Sequence, residues 1–347
     1  MEKVRQSNME LLRIIAMFMI LVIHANMIAL QRPTSAELFS NSLATVTRYF
    51  IESFGIVGVN IFVMLSGWFL IKSRPKSFLS LFFQVLYFWG GGFLLFFLIG
   101  MSDFTSENVL EAFAFTKRDW FIKAYIVLMI IAPILNVFIQ NSSEKLQRLV
   151  LIGFFLFSTF YGWMGGANRF FVDGYGPLLF VGLYLLSQYA HHAQMKTPPP
   201  LIYRLLRFDR KYDFMVFCGC VIINTLIGIL GLYYRKNIYG MVYAYTNPIT
   251  IIAALYLLLF FSKIEMRNNR IVNILATGSF AVYLFHSQIN IRPCFNKSVQ
   301  YLYSLFDGVS CVAVVFVFLA FVYVISVAID LPRLWMWNKL SKKFNIR

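Results

Sequence analysis

The sequence predicts an all-α membrane protein built as a bundle of about ten transmembrane helices. The first observation is composition: 59% of the 347 residues are hydrophobic and 13% are charged, whereas soluble domains carry about 25% charged residues. The second is that the apolar residues form long runs, and about 20 of them suffice to cross a bilayer as a helix. The third is that the segments between runs are short, so one membrane domain is predicted over residues 1–347.

Ten apolar segments are predicted to span the membrane. With the amino terminus placed in the cytoplasm, most of the 31 Lys and Arg residues fall in segments on that side. Because cytoplasmic loops carry such an excess of basic residues, both termini are predicted to be cytoplasmic and the protein is expected in the cell membrane. The first segment is too long for a signal peptide and has no cleavage site, so we expect it to be retained. The predicted spans are 9–30, 51–71, 78–100, 120–139, 148–163, 174–190, 214–232, 246–262, 271–290 and 309–329.

The same loop asymmetry explains the net charge of +16, so no nucleic-acid partner is predicted. The largest predicted cytoplasmic loop carries a basic band formed by Arg204, Arg207, Arg210 and Lys211. This band suits anionic membrane lipids, and it also suits the phosphates of a cytosolic cofactor. The sequence leaves both interpretations open.

The first span carries three ionisable residues, Glu10, Arg13 and His24. Charged groups are costly inside a bilayer, so their presence there indicates function. Arg13 and His24 are 11 residues apart, which at about 100° per residue places them on one helical face, about 16 Å apart along the axis. Glu10 shares that face, one turn before Arg13. We therefore expect Arg13 near the cytoplasmic surface and His24 in the outer half of the membrane.

The second span contains polar and small residues of two kinds. Asn60 lies at a depth comparable with His24, so a hydrogen bond between the two side chains is geometrically plausible. Gly55 and Gly58, and again Ser66 and Gly67 about two turns further on, let helix backbones approach closely, so close packing is the simpler interpretation for the glycines.

Two further spans contain candidate site residues. Trp120 opens the fourth span and is typical of the membrane interface, whereas Tyr125, one turn later, could line a cavity. His286 lies toward the outer end of the ninth span. A lone histidine on an apolar face is usually structural. These three residues therefore indicate a functional site only when they are taken together with the other candidate residues.

Several kinds of site are absent from the sequence. No metal-ligand cluster, phosphate-binding glycine loop or nucleophile elbow is present, and the four cysteines have neither disulfide nor metal spacing. We therefore expect no metal and no permanently bound cofactor. The carboxylates Glu10, Glu52, Asp173 and Asp330 are all placed near span ends, so the candidate buried base is His24.

Four segments together resemble the acyltransferase 3 family of integral-membrane acyltransferases. The first is Glu10-Leu11-Leu12-Arg13 with His24, an arginine followed by a histidine after ten residues. The others are GIVGVNIFVMLSGWFLI in the second span, DWFIKAYIVLMIIAPILN in the fourth and GSFAVYLFHS in the ninth. They lie in the family's order along the chain, which makes the joint match specific.

The resemblance implies transfer of an acyl group, usually acetyl, from cytosolic acyl-CoA to a hydroxyl of a glycan or glycolipid. It assigns the base to His24 and the binding of CoA to Arg13. The basic band of the cytoplasmic loop makes Arg204 and Arg207 further cofactor-binding candidates. The resemblance makes Asn60 and Glu10 candidate partners of His24, and it makes Trp120, Tyr125, His286 and Ser66 candidates for substrate binding. Many members have an aspartate where this chain has Asn60, which could orient an imidazole but not stabilise its charge.

Two other functions remain open on the sequence. A glycan transporter or flippase would also have many spans and a basic cytoplasmic side, although such proteins often use carboxylates within the membrane. An acyltransferase homologue that only senses or binds a partner is kept open by Asn60. The acceptor sugar, the acyl chain length and the oligomeric state are not predicted.

Overall fold

The computed structural model describes residues 5–113, 120–165, 171–195 and 205–345. Within these ranges the regular structure is helical and no β-strand is present, which confirms the predicted all-α class. The α-helices in chain order are α1 (Ser7–Ile23), α2 (Ser35–Ser40), α3 (Ser42–Gly55), α4 (Val57–Phe69), α5 (Pro75–Val85), α6 (Gly91–Leu98), α7 (Ser106–Ala112), α8 (Trp120–Asn141), α9 (Glu144–Phe157), α10 (Pro177–Met195), α11 (Arg210–Tyr233), α12 (Tyr239–Val242), α13 (Pro248–Ser262), α14 (Arg270–Thr277), α15 (Ser279–Ser287), α16 (Ile291–Leu305) and α17 (Gly308–Lys343). Three helices continue as π-helical turns, α1 at His24–Ala29, α5 at Leu86–Gly90 and α9 at Ser158–Met164, and a short 3-10 helix covers Val172–Gly174.

In the described part of the chain, seven helices are long and apolar enough to cross a membrane. Each of them overlaps a predicted span, so the chain has the helices of an integral membrane protein. They cover Ser7–Ala29, Ser42–Phe69, Pro75–Leu98, Trp120–Asn141, Glu144–Met164, Arg210–Tyr233 and Gly308–Lys343.

Three predicted spans are helical in the structure but are not among the helices that could cross a membrane, because they are too short, too polar or interrupted. The segment 174–190 corresponds to α10, which ends in a polar run. The segment 246–262 corresponds to α13, whose 15 residues extend about 22 Å, whereas the bilayer core is about 30 Å thick. The segment 271–290 is divided at Gly278 into α14 and α15. The predicted count of about ten is therefore not confirmed.

The second span differs from its prediction at its start. Helices α3 and α4 meet at Ile56 and together form a 28-residue span from Ser42 to Phe69, not a span that starts at residue 51. The Asn41 side chain begins it by accepting a hydrogen bond from the Ala44 backbone amide, a common way to satisfy the first turn. Glu52 therefore lies inside the span and not at its end.

Helix α1 lies at the centre of the bundle, in contact with α3, α4, α13, α14, α15 and α17. Gly58 allows α4 to approach it, because a Cβ atom at Gly58 would lie 2.6 Å from the Ala16 carbonyl oxygen. A Cβ atom at Gly55 would similarly lie 2.5 Å from a methyl carbon of Ile23. The packing function predicted for both glycines is confirmed, and this contact fixes α1 relative to the second span.

The loop after α1 is held by hydrogen bonds from two directions. Arg48 is buried and donates to the backbone carbonyls of Asn26, at 2.6 Å, and of Gln31. Thr34 and Glu37 cap α2 reciprocally, with the Thr34 backbone amide 2.6 Å from the Glu37 carboxylate. These hydrogen bonds hold the pKa of Glu37 below its usual value, and they fix the position of the residues between Gln31 and Thr34.

Candidate active site

His24 lies in the wall of a cavity of about 600 Å³ at the carboxyl-terminal end of α1. We call this space the histidine cavity. It receives side chains from helices that are far apart in sequence, and nine of them are those of Phe, Trp or Tyr. Besides His24 and His286, the wall includes Trp89, Trp120, Phe121, Tyr175, Tyr239, Tyr245 and Tyr283, together with the charged residues Arg32, Glu52 and Arg292. The cavity is large enough for a small organic substrate.

The two histidines of the cavity are hydrogen-bonded to each other. Nδ1 of His24 lies 2.6 Å from Nε2 of His286. The other ring nitrogen of His286, Nδ1, lies 2.6 Å from the carbonyl oxygen of Val282, one turn earlier in α15. Both nitrogens of His286 are therefore engaged, whereas Nε2 of His24 is not used in this pair.

These contacts determine where the protons lie. His286 is 2% exposed and no carboxylate in the described structure pairs with it, so a neutral ring is favoured. A carbonyl oxygen only accepts, so Nδ1 of His286 carries the hydrogen and its Nε2 is the acceptor. His24 then donates from Nδ1 and keeps a lone pair on Nε2. This is the protonation state that a general base requires.

Neighbouring side chains hold His286 in place. The indole Nε1 of Trp89 donates to the Leu284 carbonyl at 2.7 Å, which ties the π-helical turn of α5 to α15. The ring of Phe295 from α16 lies 5.5 Å from the His286 ring. His24 itself is the first residue of the π-helical turn His24–Ala29, and π-turns are frequent at functional sites.

Asn60 is not paired with His24. Its side-chain nitrogen donates to the backbone carbonyl of Tyr245 at 3.1 Å, and its Oδ1 is buried with no hydrogen-bond partner among the described residues. The hydrogen bond considered between Asn60 and His24 is therefore absent, because Asn60 points to the loop that follows α12. His286 takes the position next to His24 instead.

Glu10 and Arg13 form an ion pair of 2.7 Å at the other end of α1. Glu10 is about 21 Å along the helix from His24, so it cannot be the charged partner of the imidazole. Met17 and Ile20 line the histidine cavity and follow Arg13 at helical spacing, so the predicted common face is present. The cavity ends at Met17, about 6 Å along the axis from Arg13.

Arg207 lies at the same end of the bundle as the start of α1. Its neighbour Phe208 accepts a hydrogen bond from the Lys263 side chain at 2.8 Å, and Asn8 of α1 donates to Phe261, two residues from Lys263, at 2.9 Å. Arg207 itself is half-buried and in contact with other groups. Arg204 and Asp119, which belong to the predicted basic band and fourth-span motif, lie outside the described residues.

The structure separates the predicted substrate-binding residues into two places. Trp120 lines the histidine cavity, with its ring centre 4.6 Å from that of Tyr175 and 5.6 Å from that of Tyr245. Ser66 and Tyr125 do not line it. Their hydroxyls lie 3.1 Å apart, so the two residues connect the second span to α8.

Glu52 is a buried carboxylate of the cavity that the sequence did not single out. One oxygen accepts a hydrogen bond from Asn26 at 3.1 Å, and the other accepts one from the Tyr239 hydroxyl at 3.0 Å. Burial and the Glu52 charge raise the pKa of Tyr239, so its hydroxyl keeps its proton. A signal was present: Arg48 and Glu52 are spaced i,i+4, which places two charges on one helical face.

Two arginines of the cavity were also missed. Arg32 follows the π-helical turn of α1, and Arg292 lies in the first turn of α16. Arg292 is close enough to act electrostatically on both His24 and His286. Each arginine lies in a polar connection between spans, where a single sequence gives no means of telling a site residue from a solvated one.

Within the described ranges, no group of three or more His, Cys, Asp or Glu side chains is arranged to hold a metal ion. The four cysteines are free thiols. The wall of the cavity offers the imidazole pair, the Glu52 carboxylate, two guanidinium groups and the hydroxyls of Ser287 and several tyrosines.

A family model described as an acyltransferase domain matches residues 6–331 of the chain. The match includes both histidines of the pair, Arg13 and all three charged residues of the cavity. No curated protein and no solved structure matches the chain.

Proposed function

Because the chain belongs to the acyltransferase 3 family, we propose that it transfers an acetyl group from acetyl-CoA to a hydroxyl of a cell-surface glycan or of its lipid-linked precursor. The observation that carries this proposal is the hydrogen-bonded pair of His24 and His286 in the wall of an aromatic cavity. The pair supplies a positioned base, which acyl transfer to a hydroxyl requires.

In the proposed reaction, Nε2 of His24 removes the proton of the acceptor hydroxyl. The hydroxyl oxygen attacks the thioester carbonyl carbon, the carbon–sulfur bond breaks, and the proton passes from His24 to the leaving sulfur. His286 keeps the hydrogen of His24 on Nδ1, so that Nε2 faces the acceptor. As a neutral partner it orients the ring and gives less charge stabilisation than a carboxylate would.

The donor is proposed to approach along the face of α1 that joins Arg13 to His24. Arg13 has several N–H donors, of which its pair with Glu10 uses one nitrogen, so it can also bind a phosphate of CoA. Arg207 lies at the same end of the bundle and is a second candidate for phosphate binding. Acetyl-CoA is a co-substrate in this proposal and not a resident cofactor.

The acceptor is proposed to lie in the histidine cavity. Aromatic rings such as Trp120 and Tyr245 offer flat apolar surfaces with polar edges, which suit a sugar ring. The distance of this cavity from Arg13 fits a donor and an acceptor that enter from opposite ends of α1.

Membranes from cells that express the chain provide the test, with radiolabelled acetyl-CoA as donor and label in the extracted glycan as readout. His24→Ala is expected to abolish the labelling at unchanged protein level. His192→Ala, in the last turn of α10 and not in the wall of the cavity, is the matched control and should retain the labelling. Labelling that survives His24→Ala would refute the proposal, and so would movement of glycolipid across the membrane without any acetyl transfer, which is the flippase function.

A further inference from the structure

A second cavity of about 320 Å³ adjoins the histidine cavity. The two share Arg32 and Tyr239 in their walls. We call the second space the basic cavity. It lies between the loop before α2 and the turn that joins α11 to α12, and its wall includes Thr34, Arg235 and Lys236.

The wall of the basic cavity carries three cations, Arg32, Arg235 and Lys236, and no carboxylate. Arg235 and Lys236 are exposed, and neither has an ion-pair partner among the residues that the structure describes. The histidine cavity adds Arg292 and the single carboxylate Glu52. The walls of the two adjoining spaces therefore carry four cations and one carboxylate.

The groups at the junction are held in fixed positions. The guanidinium carbon of Arg32 lies 3.9 Å from the centre of the Tyr239 ring, a favourable cation–π geometry. The Tyr239 hydroxyl is in turn bound to Glu52. Ser35 donates to the Leu232 carbonyl at 3.0 Å, which fastens the loop to α11. The cation at the junction is thus pre-positioned, which lowers the entropy cost of binding a ligand there.

The chemistry of the wall selects an acidic ligand with hydroxyl groups. Arginine and lysine bind carboxylate or phosphate groups, and Thr34, Ser35 and Asn237 offer hydrogen-bond partners for hydroxyls. A lipid headgroup would satisfy the cations alone. A saccharide chain would also use the polar wall and the adjoining histidine cavity.

From these observations we infer that the basic cavity binds an acidic saccharide chain, one sugar of which extends past Arg32 into the histidine cavity. The inference rests on the proposed function, because it identifies the acceptor as negatively charged. It assigns specificity to Arg235 and Lys236, which lie outside the space that holds the histidine pair.

Binding measurements test the inference separately from acetyl transfer. The full chain is placed in phosphatidylcholine nanodiscs, and the affinities of a labelled oligogalacturonate and of a neutral maltooligosaccharide of equal length are compared at low salt. We expect the acidic probe to bind about tenfold more tightly, and this preference to weaken as salt screens the charges. The double variant Arg235→Glu with Lys236→Glu should bind the oligogalacturonate about tenfold more weakly than the unaltered chain.

Two controls make the outcomes distinct. Lys297→Glu changes an exposed cation of α16 that lines neither cavity and should leave the preference intact. The second control is the omission of acetyl-CoA: binding is measured without the donor, so a failure of the proposed acetyl transfer does not affect this result.

Equal affinity of the unaltered chain for the two probes would overturn the inference. It would also be overturned if Lys297→Glu lowered the affinity for the oligogalacturonate as much as the double variant does. It is also overturned if vesicles of phosphatidylglycerol, but not the oligogalacturonate, bind in a manner that depends on Arg235 and Lys236. That outcome would identify the surface as a site for lipid headgroups.

Discussion

His24 in the first helix and His286 in α15 share a hydrogen bond of 2.6 Å across 262 residues of sequence. The bond from His286 to the Val282 carbonyl sets the direction of the whole chain of hydrogen bonds. In this series of hydrogen bonds, each of the other three ring nitrogens acts either as a donor or as an acceptor. The lone pair that remains free is therefore on Nε2 of His24. Catalysis is thus expected to depend on His286 through orientation.

His286→Ala should lower kcat of acetyl transfer by about 100-fold or more with a smaller change in KM, because the base loses its fixed tautomer. His286→Gln should retain more activity than His286→Ala where its side-chain oxygen accepts the hydrogen of His24. Steady-state kinetics with purified protein would measure both values, together with the pH profile of kcat. A kcat of His286→Ala equal to that of the unaltered chain would contradict the orientation by His286.

Asn60→Asp introduces the aspartate found in many family members, and it should not increase activity here. The Asn60 side chain donates to the Tyr245 carbonyl. The carboxylate of an aspartate at this position has no hydrogen to donate, so it would place an acceptor oxygen against the carbonyl oxygen of Tyr245. Leaving such a buried group unsatisfied costs about 1–3 kcal/mol, so a lower thermal midpoint is expected. Thermal unfolding in detergent and labelling with acetyl-CoA measure the two quantities. A more active Asn60→Asp variant would show that the aspartate reaches His24.

Gly58→Ala should destabilise the bundle, because the added Cβ would lie 2.6 Å from the Ala16 carbonyl oxygen and force α1 away from α4. Overpacking of this kind costs about 1–3 kcal/mol. Gly219→Ala in α11 is the matched control, since a Cβ there meets no atom within 4 Å. Thermal midpoints of the two variants in the same detergent would be compared. Equal stability would contradict the close contact of α1 with α4.

Tyr239→Phe should reduce the loss of stability at alkaline pH. The pKa of Tyr239 is raised in the folded protein by burial and by Glu52, whereas the unfolded chain releases this proton near pH 10. The stabilisation is therefore present below about pH 10 and is lost as pH rises further, because the unfolded state then binds fewer protons. Midpoints of unfolding between pH 9 and 11 measure the effect. A slope identical in Tyr239→Phe and the unaltered chain would contradict a buried, protonated Tyr239.

The sequence was informative wherever the structure depends on neighbours along one helix. The common face of Arg13 and His24 follows from helical periodicity, and so does the close packing at Gly55 and Gly58. Partners across helices could not be derived in this way, because periodicity contains no information about which helix lies opposite. Depth in the membrane therefore suggests Asn60 as the neighbour of His24, whereas the hydrogen-bond partner in the structure is His286.

Glu52 illustrates a different limit. The apolar run of the second span begins near residue 51, so a hydropathy criterion places Glu52 at an end. The helix begins at Ser42 because Asn41 caps it and because Arg48 is buried against the π-helical turn of α1. From sequence alone, a polar residue that tertiary contacts bury is predicted to be exposed. For this reason the sequence does not identify Glu52 as a carboxylate of the cavity.

The π-helical turn His24–Ala29 has a consequence for changes in chain length. A π-turn holds one residue more than an α-turn in each hydrogen-bonded ring, so deletion of one residue within it can be absorbed by conversion to an α-helix. A deletion of one residue earlier, within the α-helical part Ser7–Ile23, would instead rotate the residues on one side of it by about 100° relative to those on the other. Asn26 would then leave Glu52 and Arg48, although every side chain that touches the substrate would still be encoded. We therefore expect the cavity to tolerate a deletion of one residue in this turn better than a deletion of one residue within Ser7–Ile23.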